Sequence, residues 1–239
     1  MTKTRKFDKS SGVNKVVPTL LTIKKLDFVE IEYTGKLKDD EIIFDTTDEK
    51  LAKDNNIFNE KHVYGPVKVM VGGNQVLPGL DFFMEGKEPG TFKVNLIPEQ
   101  GFGKKNAKLL KLMPKSLFTK QNINPMPGLP VNIDGMDGII KTVSGGRCMV
   151  DFNHPLSGKE IEYDLKINRI VTDEKEKVSS IVELQLKKED FELNVEEDKV
   201  TISSKIGMKK PLKDLIEDMI KKFTKIKKVE FKEVQSKKV

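Results

Sequence analysis

The sequence predicts an α+β fold in which an antiparallel sheet wraps one short helix, a small β-rich unit is inserted into that sheet, and a C-terminal α/β unit follows. Three observations predict it. A short apolar helical pattern lies within Gln75–Gly90, and period-two alternation lies on both sides of it. A basic block at 104–150 separates two segments that alternate in the same way.

The predicted helix is short and heavily apolar. Leu80, Phe83 and Met84 recur at helical spacing, which gives the helix one apolar face. Asp81 is expected on another face, as an acid in the first turn that the helix dipole favours. Gly86 ends the pattern by the usual C-terminal turn chemistry.

Strand patterns surround this helix. Alternating apolar and polar residues predict strands at 28–33, 41–45, 67–71 and 91–97 before the insert, and at 161–167 after it. The alternation at 161–167 resembles that of the strands before the insert, and differs from the pattern of the basic block. We therefore expect one discontinuous domain, residues 16–103 plus 151–171, interrupted by the insert.

The insert, 104–150, differs in charge and pattern. It carries eight basic and two acidic residues, whereas 26–103 carries eight basic and fifteen acidic ones. One short helix is predicted at 114–121. Glycine-punctuated hairpins are predicted from strand patterns at 129–134, 138–144 and 147–152.

Both ends of the chain lie outside these two domains. Residues 1–15 are expected to be a disordered tail, and 16–23 a first strand or arm. In 172–239 we expect a charged linker, three strands, an amphipathic helix beginning at Pro211 and a final strand. The first of these strands is predicted at 182–186. So small a unit forms only a small core, which favours self-association as a homodimer.

Composition limits the possible functions. The 239 residues carry a net charge of +6, and the single cysteine, Cys148, fits a reducing cytosol and is expected to be packed in a strand. No apolar run is long enough to span a bilayer, so no membrane partner is expected. His62 and His154 stand far apart without nearby cysteines, so no metal and no cofactor are expected. His154 is interpreted as a turn residue.

What remains is a set of apolar and aromatic residues that periodicity alone assigns to the core. Short motifs point further. Seven of them resemble, in order and spacing, those of the FKBP-type peptidyl-prolyl cis–trans isomerases, and most of all the SlyD-like branch in its long archaeal form with insert-in-flap and C-terminal domains. They are IEYTGKL (31–37), IFDTT (43–47), YGPVKVMVG (64–72), QVLPGL (75–80), EGKEPG (85–90), IPEQGFG (97–103) and VDFNHPLSGKEIEY (150–163).

The resemblance implies a half-barrel sheet and a proline-binding pocket that lowers the barrier to X–Pro rotation. Leu80 would be the floor in place of the family's frequent Trp, and Val76 and Leu77 would form the rim. Tyr33, Phe44 and Tyr163 would be aromatic walls, with Asp45 at the edge. Phe102 stands where Tyr is usual, and Tyr163 where Phe is usual. Asp45 either orients a pocket tyrosine or is a strand-end carboxylate bonded to the Thr46-Thr47 backbone.

The resemblance also implies that the insert binds unfolded or nascent chains. Its apolar residues exceed what fifty residues readily bury, although they also suit a small core of its own. The expected chaperone surface consists of Leu110, Leu112, Met113, Leu117, Phe118 and Met126. Two alternatives remain: a holdase or assembly module with a weak isomerase domain, which Phe102 favours, and ribosome or RNA contact through the basic charge of the insert.

Overall fold

A computed structural model describes residues 21–233. The expected tail at 1–15 and the first part of the expected arm lie outside the described residues. In the remainder of that arm, Ile23 is buried and the described residues form no strand. Its N–H donates to the carbonyl of Lys87 and its carbonyl accepts from Gly86, both at 2.8 Å. Within this part of the chain, no helix combines the length and apolarity needed to cross a membrane.

The described residues form twelve strands and five α-helices. The strands are β1 (Phe28–Leu37), β2 (Ile43–Thr46), β3 (Val67–Met70), β4 (Gly90–Leu96), β5 (Leu110–Pro114), β6 (Pro130–Ile133), β7 (Met136–Ser144), β8 (Arg147–Asp151), β9 (Ile161–Val171), β10 (Phe191–Glu196), β11 (Lys199–Ser204) and β12 (Lys228–Glu233). The helices are α1 (Glu49–Asp54), α2 (Pro78–Met84), α3 (Lys115–Thr119), α4 (Glu174–Glu183) and α5 (Lys210–Phe223).

The main sheet is antiparallel and wraps α2. Its order is β2-β1-β9-β4, and β3 also pairs with β1. Strand β9 comes from beyond the insert and lies between β1 and β4, pairing with both. The alternation of β1 buries Val29 and Ile31 against the core, which Leu80 and Met84 of α2 complete. An α+β fold with an antiparallel sheet around one short helix is confirmed.

Asp81 lies in the first turn of α2, as expected, but it is only 6% exposed, which the sequence pattern did not indicate. Its carboxylate lies under the loop that precedes the helix and accepts hydrogen bonds from two backbone N–H groups of that loop. Helical periodicity locates a polar residue on a helix, but it does not show that a neighbouring loop covers that position.

The insert forms its own four-stranded sheet in the order β5-β8-β7-β6. Strand β5, an edge strand whose residues are mostly exposed, was not predicted from the sequence. A separate core includes Cys148, which is fully buried as expected. The other buried members of this core are Phe118, Val131, Ile140, Val150 and Phe152.

The C-terminal unit differs from prediction in its first element. The segment expected to be a linker and a strand is helix α4, capped by Asp173, whose side chain accepts from the N–H of Glu176 at 2.8 Å. Val178, Ile181 and Val182 are buried at helical spacing, so the apparent alternation at 182–186 was the end of a helix. A three-stranded sheet follows, in the order β10-β11-β12.

The C-terminal core is shared with the main sheet. Phe28, Met70 and Val171 belong to the main-sheet strands, yet they pack in the same cluster as the buried residues of α4 and α5. Arg169 reinforces this junction, because its guanidinium contacts Glu30 at 2.9 Å and Glu176 at 2.8 Å. A core too small by itself is thus enlarged by the neighbouring sheet.

Candidate active site

Four aromatic rings meet above helix α2. The ring centroids of Tyr33 and Tyr163 are 5.7 Å apart, those of Phe44 and Tyr163 are 5.8 Å apart, and those of Phe44 and Phe102 are 5.7 Å apart. All three pairs meet edge to face, which is the arrangement that the ring quadrupoles favour. Residues distant in sequence therefore form one continuous aromatic wall.

Helix α2 closes the base of this wall. Leu80 is 2% exposed and packs in the same cluster as Tyr163. Val76 and Leu77 are partly buried against that cluster, in the loop that enters the helix. The carbonyl of Leu77 accepts hydrogen bonds from Leu80 at 2.9 Å and Asp81 at 3.0 Å, so rim and floor belong to the same turn. The predicted walls, rim and floor are thus brought together.

Pairing across three neighbouring strands places Asp45 near Tyr163. Gly35 of β1 pairs with Asp45 on one side and with Tyr163 on the other. A Cβ at Gly35 would lie 2.7 Å from the Tyr163 ring, so only glycine lets the phenol cross this position. The Tyr163 hydroxyl then donates to Asp45 Oδ2 at 3.5 Å. Sequence reasoning missed Gly35, although a glycine inside an alternating strand signals close approach.

The three ionisable side chains of the site, Tyr33, Asp45 and Tyr163, all have raised pKa values. Burial raises the pKa of Asp45 above its ordinary value, an effect opposed by the charge of His62 and by hydrogen bonds from Tyr163 and the backbone of Thr46. Both interpretations of Asp45, tyrosine partner and strand-end carboxylate, therefore have a contact behind them. Burial, with the Asp45 charge adding to it, raises the pKa of Tyr33 to about 12 and raises that of Tyr163 as well. Both phenols stay protonated donors at neutral pH.

Side chains of the loop after α1 lie next to Asp45. His62, which the sequence suggested only as an improbable metal ligand, lines a cavity of about 180 Å³ together with Asp45 and Phe44. Tyr64 shares this cavity, contacts the His62 ring at 4.9 Å and accepts a hydrogen bond from the N–H of Asn59 at 3.0 Å. The loop after α1 thus adds a polar lining to the outer side of the pocket.

The turn after the insert supports Phe102. The His154 ring stacks on the Phe102 ring with centroids 4.6 Å apart and 4° between the planes. His154 Nδ1 also accepts from the N–H of Leu156 at 3.2 Å, as expected for a turn residue. The hydroxyl of Ser157 donates to the carbonyl of Phe102 at 3.1 Å. The segments that enter and leave the insert therefore meet at Phe102.

The residues predicted as a chaperone surface divide into two groups. Leu110, Leu112 and Met126 are exposed. Met113 and Leu117 are partly buried against the core of the insert. Phe118 is wrong as a surface residue, because it is 2% exposed and lies in that core. A small sheet needs one large side chain to fill its interior, and α3 supplies Phe118.

Fold and site together define an apolar cluster with four aromatic rings, built on a sheet that wraps one helix. The family model for FKBP-type peptidyl-prolyl cis-trans isomerase matches residues 21–119, and one described as the FKBP26 IF domain matches residues 111–156. That second match begins and ends a few residues later than the insert expected at 104–150.

Similar proteins agree with the family models. A short-type peptidyl-prolyl cis-trans isomerase of Methanocaldococcus jannaschii is 32% identical over 155 residues, which cover 64% of this chain and 98% of that protein. A probable FKBP-type 16 kDa peptidyl-prolyl cis-trans isomerase of Pseudomonas fluorescens is 31% identical over 43% of this chain and 71% of its own length. SlyD of Haemophilus influenzae is 27% identical over 48% of this chain and 63% of its own length. The chain belongs to the FKBP-type peptidyl-prolyl cis-trans isomerase family, and the similarity to SlyD proteins supports the SlyD-like branch.

Proposed function

We propose that this protein accelerates cis–trans isomerisation of X–Pro bonds in folding chains, with the proline ring bound on Leu80 between the aromatic walls. The observation that carries the proposal is the Tyr163–Asp45 pair held inside an apolar pocket. The pair places a polar contact next to the apolar cluster that contains Leu80. This combination suits an amide that must lose its resonance.

The physical argument concerns the polarity of the reacting bond. Rotation of an X–Pro bond faces a barrier of roughly 18–20 kcal/mol, because twisting breaks the amide resonance. The twisted amide is less polar than the planar one, so an apolar, water-poor pocket favours it over the ground state. Lowering the barrier by about 5 kcal/mol accelerates the reaction several thousandfold. This chemistry uses neither a nucleophile nor a metal.

The roles of the side chains follow from their positions. Leu80 supplies the floor, Val76 and Leu77 the rim, and Tyr33 and Phe44 the walls. Tyr163 supplies the hydroxyl that Phe102 lacks, and Asp45 orients that hydroxyl. Because Leu80 is smaller than an indole, we expect bulky macrolide inhibitors to bind weakly; nanomolar affinity would contradict this.

A protease-free assay with a proline-containing tetrapeptide tests the proposal. The intact chain should isomerise the peptide well above the buffer rate at micromolar protein, and Asp45→Ala should reduce kcat/KM. A chain that lacks 104–150 should keep its peptide activity and lose activity on an unfolded protein. No rate above buffer for the intact chain would refute the isomerase function.

We extend the proposal to the insert, which would capture unfolded or nascent chains beside the pocket. The exposed side chains of Leu110, Leu112 and Met126 support this role, because apolar surface open to water binds apolar segments. Met126 adds an adaptable contact. If deletion of 104–150 leaves unfolded-protein binding intact, this part of the proposal is wrong.

The alternative function is a holdase or assembly module with a weak isomerase domain. One observation favours it: Phe102 carries no hydroxyl, and its face is already covered by His154. The same tetrapeptide assay separates the two functions. Aggregation suppression without peptide turnover would favour the holdase.

The proposal also includes a location and further partners. The single Cys148 fits a cytoplasmic location. A homodimer through 172–239 would show as a change in solution mass on truncation of that unit. A ribosome or RNA contact would need lysines of the insert that already have partners within the chain. Lys104 pairs with Glu99, Lys105 pairs with Asp151 at 3.4 Å, and Lys111 lies over the Phe152 ring. Salt-sensitive RNA affinity lost on replacing these three lysines and Lys108 would favour the contact.

A further inference from the structure

The rim of the pocket is carried by an irregular loop. Residues 72–77 connect β3 to α2 and end in Val76 and Leu77. Gly72 and Asn74 both have positive φ, +79° and +53°, in the left-handed region that few residues adopt readily. A loop without regular backbone hydrogen bonding needs other contacts to hold its shape.

Asp81 supplies two of those contacts from the helix. Its Oδ1 accepts from the N–H of Gly72 at 2.6 Å, and its Oδ2 accepts from the N–H of Asn74 at 3.1 Å. The side chain is buried, with 6% of its surface exposed. Hydrogen bonds to an ionised acceptor are stronger than those between neutral groups, and burial strengthens them further. One carboxylate therefore ties two positions of the loop to α2.

Gln75 holds the same loop from the other side. Its Oε1 accepts from the N–H of Met70 at 2.7 Å, at the end of β3. Gly73 donates to the carbonyl of Met70 at 2.9 Å. The loop is thus fixed to the helix through Asp81 and to the sheet through Gln75, immediately before Val76.

These contacts reach the reacting region through two short connections. Asp81 follows the floor residue Leu80 directly in the chain, and the N–H of Asp81 donates to the carbonyl of Leu77 at 3.0 Å. The carboxylate therefore links the loop that carries the rim to the helical turn that carries the floor. A pocket that favours a twisted amide depends on such fixed spacing, because its groups must be in place before the reaction.

We propose that Asp81, supported by Gln75, is a positioning residue for the isomerase reaction: it fixes the 72–77 loop on α2 so that Val76 and Leu77 keep their place above Leu80. This role rests on the proposed isomerase function. Asp81 itself does not touch the substrate and acts through the loop.

The experiment compares Asp81→Asn with Glu85→Gln in the full chain. The asparagine keeps the size of the side chain but turns an amide –NH₂ toward one backbone N–H, so one anchoring bond is lost. Glu85 lies one residue beyond α2, is exposed and loses the same charge. The readouts are the melting temperature, kcat and KM for an X–Pro tetrapeptide, and the backbone amide NMR signals of 72–77.

We expect kcat of Asp81→Asn to fall about tenfold while KM changes less than twofold, because transition-state positioning is lost and not ground-state binding. The amide signals of Val76 and Leu77 should move together with those of Gly72 and Asn74. Glu85→Gln should leave the rates and these signals unchanged. Gln75→Ala should give a smaller loss of kcat, about threefold, and it serves as the second variant if Asp81→Asn does not fold.

Three results would overturn the proposal. The first is a folded Asp81→Asn with wild-type kcat, the second a rate loss that equals the unfolded fraction, and the third unmoved signals of Val76 and Leu77. If the intact chain shows no catalysis, the proposed function fails separately. In that case the amide signals of Val76 and Leu77 in Asp81→Asn, which should move with those of Gly72 and Asn74, still decide whether Asp81 positions the rim.

Discussion

The pocket and the insert use similar apolar side chains in opposite ways. Around α2, Leu80 and Tyr163 are almost fully buried and their contacts are defined by neighbouring strands. On the insert, Leu110 and Leu112 lie exposed on an edge strand. Defined geometry suits one small target such as a twisted amide, whereas exposed apolar area suits many loosely related segments. Function therefore depends less on composition than on what the fold covers.

The largest effect is expected where geometry matters most, at Gly35. In Gly35→Ala the new Cβ would lie 2.7 Å from the Tyr163 ring, so the ring must shift away from Asp45. Misplacement on the order of 1 Å can cost about 100-fold in rate, and overpacking destabilises by roughly 1–3 kcal/mol. Peptide turnover and urea unfolding measure these two losses.

Gly90 provides a matched control in the same sheet, because a Cβ there would meet Phe92 at 3.5 Å, an ordinary contact. Gly90→Ala should keep wild-type turnover. Equal losses in both variants would show that the sheet tolerates no added methyl group, and the special role of Gly35 would be wrong.

A tenfold loss is expected when the pocket keeps its shape and loses its hydroxyl. Tyr163→Phe removes the donor to Asp45 and leaves the ring contacts with Tyr33 and Phe44. A hydrogen bond of this kind contributes about 1–1.5 kcal/mol, which corresponds to roughly tenfold in kcat/KM. Phe102→Tyr should change the rate in the opposite direction. An unchanged rate in Tyr163→Phe would assign catalysis to the apolar walls alone.

A severalfold effect is expected at the insert, because many weak contacts share the binding there. Leu112→Ser should weaken suppression of aggregation about threefold, in line with the loss of one exposed apolar contact, while tetrapeptide turnover stays at wild type. Phe118→Ala should differ in kind and destabilise the insert by about 3–5 kcal/mol, since it opens a cavity in that core. Equal chaperone loss and equal stability in the two variants would contradict this division.

The smallest effect is a shift in pH dependence. Ionised Asp45 accepts a stronger hydrogen bond from Tyr163 than the protonated carboxyl does. Burial raises the pKa of Asp45, so kcat/KM should fall as the pH is lowered through that raised pKa. His62 and the Tyr163 hydroxyl both lower the pKa of Asp45. His62→Gln and Tyr163→Phe should therefore move the acid limb, the fall of kcat/KM at low pH, to higher pH. A carboxyl with a raised pKa in the folded state favours folding when protonated, so its contribution to stability decreases as the pH rises through that pKa. An acid limb that stays in place in both variants would contradict the role of Asp45.

The sequence predicted the main sheet well, because its strands are buried on one face and alternate clearly. It failed where tertiary neighbours decided. Helical spacing did not show that a loop buries Asp81, and Phe118, predicted as a surface residue, lies in the core of the insert. Helix α4 was missed because its apolar residues near 182–186 fit both periods.

The sequence by itself determined the α+β class, the interruption of one domain by a basic insert, and the aromatic and apolar residue types of the pocket. These depend on local periodicity, turn residues and charge, which each short segment carries. Only the tertiary structure decided that Gly35 lets Tyr163 reach Asp45, that His154 stacks on Phe102, and that Asp81 holds the rim. Each of these contacts depends on the distance between residues far apart in the chain or on burial by a neighbouring segment. Local sequence patterns contain no information on either.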